Sequence, residues 1–188
     1  MRLFLAINFP AEVRHTLFEA TASLRAAAPR LTWVREPMLH LTLKFLDDQS
    51  EEMANRVADA MRAVGARHRV VEAALGGVGA FPNFRRPRVV WIGVTAEPRL
   101  ELLHHDVESA CEELGFAVDG RPFRPHLTLA RVKPKAASTQ ERRALSRLAR
   151  TVTYSEEVVI SSVDLMQSES SSQGPHYRVL ASAPLRDA

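Results

Sequence analysis

The apolar positions of the chain change period repeatedly, and each change marks an element. Residues 11–28 carry Val13, Leu17, Ala20, Leu24 and Ala27 at helical spacing, and Pro29 ends the run. A second helix is predicted over 51–64, with Met53, Val57, Met61 and Val64 on one stripe, Ser50 as N-cap and Gly65 beyond the end. A third, over 98–114, places Leu100, Leu103, Val107, Cys111 and Leu114 together. Ser138-Thr139-Gln140-Glu141 reads as a capping box opening a fourth, with Leu145 and Leu148. Strands are predicted at 3–9, 41–46, 70–75, 89–94, 127–132, 158–166 and 177–181, where apolar and β-branched residues concentrate. Segments 76–79 (Gly-Gly-Val-Gly) and 168–175 read as flexible connectors.

These elements occur twice in one order. Strands starting at 3 and 89, helices at 11 and 98, histidines at 40 and 126, and helices at 51 and 138 are offset by 86 or 87 positions. The expected fold is α+β, with two pseudo-symmetric lobes, each with a mainly antiparallel sheet and two helices, enclosing a central cleft. The expected organisation is one bilobal domain over 1–188, with similar halves near 1–86 and 87–188.

One tetrapeptide is identical in both halves: His40-Leu41-Thr42-Leu43 and His126-Leu127-Thr128-Leu129. In a strand, His40 and Thr42 project to one face while the leucines enter the core, and the second copy repeats the pattern. Two such strips facing each other across a pseudo-dyad bring together two imidazoles and two hydroxyls. That set suits cleavage of a phosphodiester. The attacking water or hydroxyl must lose a proton and the departing alkoxide must gain one, and imidazoles do both near neutral pH. Threonine hydroxyls donate to phosphate oxygens as charge develops. A single His-x-Thr would ordinarily be a satisfied structural histidine, and it is the repetition at matching positions that favours chemistry.

Composition adds little. The chain is 46% hydrophobic and 25% charged, a globular profile, and no apolar run reaches the ~20 residues that span a bilayer. Met1 to Pro10 reads as a first strand rather than a signal peptide. Cys111 is the sole cysteine, which excludes an intrachain disulfide and fits a reducing cytoplasm. A net charge of +3 hints weakly at a polyanionic partner, although the arginine excess also fits a GC-rich genome. Arg85-Arg86-Pro87-Arg88 is the densest basic cluster and would alone be a solvated loop.

The chain resembles the two-histidine (2H) phosphoesterase superfamily, and within it the RNA 2′,3′-cyclic phosphodiesterases, also called 2′-5′ RNA ligases. Trp33-Val34, 39–46, Gly79-Ala80-Phe81-Pro82, 86–93 and 123–131 carry the likeness over nearly the whole chain. Asp47-Asp48 departs from it, standing where the family usually has glycine. The resemblance implies that His40 is the proton donor to the leaving ribose oxygen and His126 the proton acceptor that activates water. It also implies that Arg131, with Thr42 and Thr128, holds the phosphate, and that the product is a 2′-phosphomonoester. Reverse 2′-5′ joining is an implied side activity. Expected partners are RNA ends or nucleotides bearing a 2′,3′-cyclic phosphate. Neither a cofactor, nor a metal, nor a membrane is expected, and the chain is expected to be a monomer. Strict alternation, however, puts Arg131 on the leucine face, so its role requires a bulge or a strand end there. Phe81 and Phe84 could stack on a base but are more ordinary as hairpin packing. Two other functions remain open. A zinc phosphodiesterase is disfavoured because His104-His105, adjacent on a helix, diverge by about 100°. A non-catalytic RNA-binding module is disfavoured by two complete His-x-Thr strips.

Overall fold

The structure, a computed structural model, describes residues 1–172 and 174–187. Its strands are β1 (Arg2–Asn8), β2 (Thr32–Trp33), β3 (His40–Asp48), β4 (Val71–Phe81), β5 (Val89–Ala96), β6 (His126–Arg131), β7 (Ser155–Ile160), β8 (Ser162–Ser171) and β9 (Gly174–Pro184). Its α-helices are α1 (Ala11–Ala20), α2 (Ala22–Ala27), α3 (Glu51–Gly65), α4 (Arg99–Glu113) and α5 (Thr139–Ala149). A short 3₁₀ turn, Glu36–Met38, leads into β3.

The strands run in the order β7-β4-β5-β6-β3-β1-β8-β9, with every neighbour antiparallel and β2 set against β6. This is an α+β fold whose curled antiparallel sheet and helices form a cleft between two lobes. The lobes meet where β3 and β6 pair, and the register there is a single pair, Leu41 opposite Leu127. Each lobe borrows from the other half of the sequence. β4 joins β5, β6 and β7, while β8 and β9 join β1 and β3. The helices follow the same exchange, α3 packing on α4 and α2 on α5. Each half of the sequence therefore contributes strands to both lobes.

One face of the sheet carries the core. Leu3, Leu5, Ile7, Leu41, Leu43, Ile92, Leu127 and Leu129 join Leu17, Val57, Leu103 and Leu145 of the helices in one buried cluster that crosses the lobe boundary. The helices end where local chemistry stops them. Ser50 and Ser138 accept from the backbone N–H groups of Met53 and Glu141, and Glu141 closes the capping box. The single helix expected over 11–28 is interrupted at Thr21, whose buried hydroxyl donates to the Leu17 and Phe18 carbonyls.

Two expected connectors are strand. Segment 76–79 lies inside β4 as a bulge, where Gly76 and Val78 pair with Gly93 and Ile92 and Gly77, at φ +75°, is skipped. The 168–175 segment is mostly the paired ends of β8 and β9; Gln173 lies outside the described residues. The strand expected over 158–166 divides into β7 and β8.

Asp47, where the resemblance leads to an expectation of glycine, adopts φ +55°. Asp47 follows Leu46, which is skipped in the pairing of β3 with β1, and aspartate tolerates the left-handed conformation better than most residues, so this bulge forms without glycine. Asp47→Gly should leave thermal stability within about 1 kcal/mol of wild type, whereas Asp47→Val should lose at least ~1 kcal/mol. Equal melting temperatures for the two variants would show that position 47 is unstrained.

Candidate active site

The Leu41–Leu127 pair fixes the site. With both leucines fully buried, alternation sends His40, Thr42, His126 and Thr128 to the opposite face, and all four are half-buried there. Antiparallel register about that pair sets His40 level with Thr128 and His126 level with Thr42. The two repeated strips thus lie side by side around the pseudo-dyad.

Both imidazoles are held in the same way. His40 Nδ1 lies 2.7 Å from the Met38 carbonyl oxygen, and His126 Nδ1 lies 2.6 Å from that of Arg124. A carbonyl only accepts, so each Nδ1 carries its proton and donates. In the neutral ring, Nε2 is then the unprotonated nitrogen. The anchors are two residues before each histidine, and Pro37 and Pro125 shape both approaches. At Nε2 the two differ. His40 Nε2 lies 3.0 Å from Thr42 Oγ1, while His126 Nε2 has no hydrogen-bond partner among the described residues.

Aromatic rings brace each imidazole from its own lobe. His40 sits against Phe4 at 5.1 Å and edge-on to Tyr177 at 5.3 Å between centroids. His126 is edge-on to Phe81 at 5.0 Å, with Trp91 at 6.3 Å. Phe4, Ala6 and Met166 form a small second hydrophobic cluster on this face, with Tyr177 against it. Burial pushes both imidazoles below the ordinary histidine value. The carbonyl anchors oppose that shift, and the Arg131 guanidinium lowers both further.

Arg131 reaches this face because β6 bulges. Trp91 pairs with Thr128 and Val90 with Ala130, so Leu129 is skipped. The extra residue reverses the alternation, Ala130 turns into the core and Arg131 turns out with the histidines. β3 bulges at the matching place: Ala6 pairs with Thr42 and Leu5 with Lys44, skipping Leu43. Lys44 accordingly turns inward, where its ammonium donates to Glu108 and to the Ala117 carbonyl, at 2.7 and 2.8 Å. Phe45, 59% exposed, takes the place that corresponds to Arg131. The pseudo-symmetry is broken here, with a cation on one arm and an aromatic ring on the other.

The geometry brings all five expected site residues to one face. Phe81 borders it through His126, and Phe84 is packed against the main core instead. Sequence reasoning missed the bracing Phe4, Trp91 and Tyr177. Trp91 had a signal, since it precedes Gly93 in a strand opposite Gly79. Tyr177 had none, because its contact with His40 spans 137 positions. His104 is stacked on Phe123 at 3.8 Å, and among the described residues no group of three His, Cys, Asp or Glu is placed to hold a metal ion.

Comparison with known proteins agrees with this architecture. The profile of the 2′-5′ RNA ligase superfamily matches residues 10–171. Similar proteins named RNA 2′,3′-cyclic phosphodiesterase occur in Geobacillus stearothermophilus (33% identical over 186 residues) and Thermus thermophilus (36% over 197). The matches cover 98% and 99% of this chain, and 57% and 91% of those proteins. The chain thus spans little more than half of the Geobacillus protein. A crystal structure of the Thermus thermophilus protein TT0787 superposes with a TM-score of 0.81 at 32% identity, covering 100% of this chain and 99% of that one. E. coli LigT complexed with 3′-AMP gives a TM-score of 0.73 at 26% identity, covering 98% and 97%. A two-lobed sheet that presents two His-x-Thr strips on one face defines the class as a 2H phosphoesterase. The chain belongs to the 2′-5′ RNA ligase superfamily, and within it to the RNA 2′,3′-cyclic phosphodiesterase family.

Gly79 seats the Trp91 indole. A Cβ built there would lie 2.2 Å from the ring, nearer than packing allows. Gly79→Ala should displace Trp91 from beside His126, destabilise the fold by about 1–3 kcal/mol and alter tryptophan emission. Unchanged emission and stability would show that the indole is not seated on Gly79.

Proposed function

We propose that the protein hydrolyses the 2′,3′-cyclic phosphate at an RNA end to a 2′-phosphomonoester, by acid–base catalysis between His40 and His126 with no metal in the reaction. The observation that carries this reading is the pair of imidazoles, each anchored through Nδ1 to a backbone carbonyl and sharing one face with Arg131. The names of its relatives support the substrate. The chain acts as one bilobal unit, since its two motifs come from opposite lobes. A monomer in the cytoplasm suits a site assembled within one chain and a single buried thiol; no helix among the described residues is long and apolar enough to cross a membrane.

In the forward reaction His126 Nε2 takes a proton from water, which attacks phosphorus. The P–O3′ bond breaks, and His40 gives the proton on Nε2 to O3′. His126 suits the base because its Nε2 has no competing partner among the described residues. His40 suits the acid because its state is coupled to Thr42. When His40 is neutral, Nε2 accepts the Thr42 hydroxyl proton. When His40 is protonated, Nε2–H donates to Thr42 Oγ1 until O3′ takes that place, and the threonine O–H turns to donate a hydrogen bond to a phosphate oxygen. Burial and Arg131 disfavour that protonated state in the free protein. A phosphate anion between the imidazoles neutralises Arg131 and restores it. Arg131 and Thr128 hold the non-bridging oxygens as negative charge grows. Run in reverse, with a ribose 2′-hydroxyl as nucleophile, the same positions would form a 2′-5′ linkage.

His40→Ala and His126→Ala should each cost at least ~10²-fold in kcat on a cyclic-phosphate RNA end, measured with EDTA present. The double variant should lose far less than the product of the single losses. A substrate with a leaving group that needs no proton should rescue His40→Ala alone. Wild-type rates from either single variant would refute the mechanism, and rescue of His126→Ala instead would exchange the two roles.

The pH profile tests Arg131. Both imidazoles are shifted downward, so the kcat/KM bell of the free enzyme should peak below the unperturbed value of about 6.5. Arg131→Met removes a positive charge that lowers both, so its residual profile should move to higher pH. A profile that lost height without moving would place Arg131 away from the pair.

A further inference from the structure

We infer that a second anion site adjoins the first, a groove that binds the phosphodiester backbone of the RNA on the 5′ side of its reacting end. The inference rests on the reading that the histidine site takes a cyclic-phosphate end. A groove of about 580 Å³ has Arg86 and Arg88 from the β4–β5 hairpin on one wall and Lys133, Lys135 and Arg142 on the other. Among the described residues, no carboxylate lines it. None of the five cations is in an ion pair among the described residues. The nearest acid in sequence, Glu141, is committed elsewhere, accepting from Arg30 and from the Ser138 backbone at 2.7 Å each. Of the chain's three lysines, Lys44 is buried against Glu108, and the other two are both here.

Backbone hydrogen bonds tie the walls of the groove to the strand that carries His126 and Arg131. Arg131 pairs with Val89, the Val132 N–H donates to the Arg88 carbonyl at 2.9 Å, and the Arg88 N–H donates to that of Phe81 at 2.7 Å. Phe81 in turn braces His126. Val132 follows the end of β6 and lies opposite Arg88, three residues along β5 from the partner of Thr128, which at a strand rise of about 3.3 Å per residue is about 10 Å. A nucleoside cyclic phosphate has one phosphate, which the histidine site takes, whereas a strand has further linked phosphates to offer the groove. Unpaired cations on two walls suit a repeating polyanion, with arginine forks and lysine point charges each matched to phosphate oxygens. Counterion release makes such contacts steeply salt-dependent, each phosphate contributing about 0.7 to the slope of log K against log salt for a single strand.

The test compares an oligoribonucleotide ending in a 2′,3′-cyclic phosphate with a nucleoside 2′,3′-cyclic phosphate, on wild type, Lys133→Gln/Lys135→Gln and Arg86→Gln. For the double variant, kcat/KM on the oligomer at low salt should fall about tenfold, with the salt slope shallower by about 1.4. Arg86→Gln should lower it too, by a smaller factor. The mononucleotide should react at the wild-type rate with both variants. An unchanged oligomer rate, or equal losses on both substrates, overturns the groove. Anisotropy of a labelled 3′-phosphorylated oligoribonucleotide reads binding without turnover. If wild type cleaves neither substrate yet the variants lose this binding at low salt, the hydrolysis reading fails and the groove stands. If cleavage proceeds and the binding is indifferent to the variants, the groove fails and the hydrolysis reading stands.

Discussion

Two strands from different lobes meet at one residue pair, Leu41 opposite Leu127, and the rest of the site hangs on that meeting. Each leucine is fully buried in the core shared by both lobes. The neighbours of a strand residue project to the opposite face of the sheet. Burying this pair therefore forces His40, Thr42, His126 and Thr128 outward together. A one-residue slip of either strand would send one imidazole into the core and a leucine to the cleft, so hydrophobic burial specifies the register of the candidate site as strongly as it specifies the fold. Exchange of strands between the sequence halves reinforces this. With β4 in one lobe and β8 and β9 in the other, neither half of the chain completes its own sheet.

Alternation alone cannot build the site, because it would turn Arg131 into the core. The bulge at Leu129 supplies the missing half-turn. Its counterpart at Leu43 has a different outcome, since the residue turned inward is Lys44 rather than Ala130. A buried ammonium must be matched, and Glu108 on α4 and the Ala117 carbonyl match it. One bulge thus places a cation on the site face, and the other ties β3 to a helix and leaves Phe45 outside. Single residues at equivalent positions make the two arms asymmetric, and the proposed division into acid and base uses that asymmetry.

What was legible in the sequence follows from how local each cause is. The His-x-Thr strips, the leucine faces and the helix caps at Ser50 and Ser138 depend on nearest neighbours along the chain, and each is where periodicity puts it. The parity conflict at Arg131 was legible as a conflict, and its resolution by a bulge belongs to pairing with β5. Segment 76–79 looks like a connector because glycine usually signals freedom. Here Gly77 makes the bulge and Gly79 makes room for Trp91, so both glycines serve a strand. The break at Thr21 was hidden because a threonine hydroxyl turned back on its own helix leaves the apolar period intact. Tyr177 and Phe4 escaped because their contacts with His40 depend on β1, β8 and β9 lying side by side.

The electrostatics of the pair resolve a tension in the chemistry. In the proposed reaction His40 is the acid and must be protonated before it can act, yet burial and Arg131 both drive protons off it in the free protein. A site that held the imidazolium permanently would have to supply a counter-charge, and a carboxylate there would repel the phosphate. The arrangement instead leaves the counter-charge to the substrate. A phosphate anion arriving between the rings offsets Arg131 and raises the proton affinity of both imidazoles, while the Nδ1 anchors keep Nε2 as the only titrating position. His126, with no hydroxyl on its Nε2, remains the better placed of the two to deprotonate water. In that proposed reaction binding and protonation are one event, and the acid is charged only when there is a leaving oxygen to receive its proton.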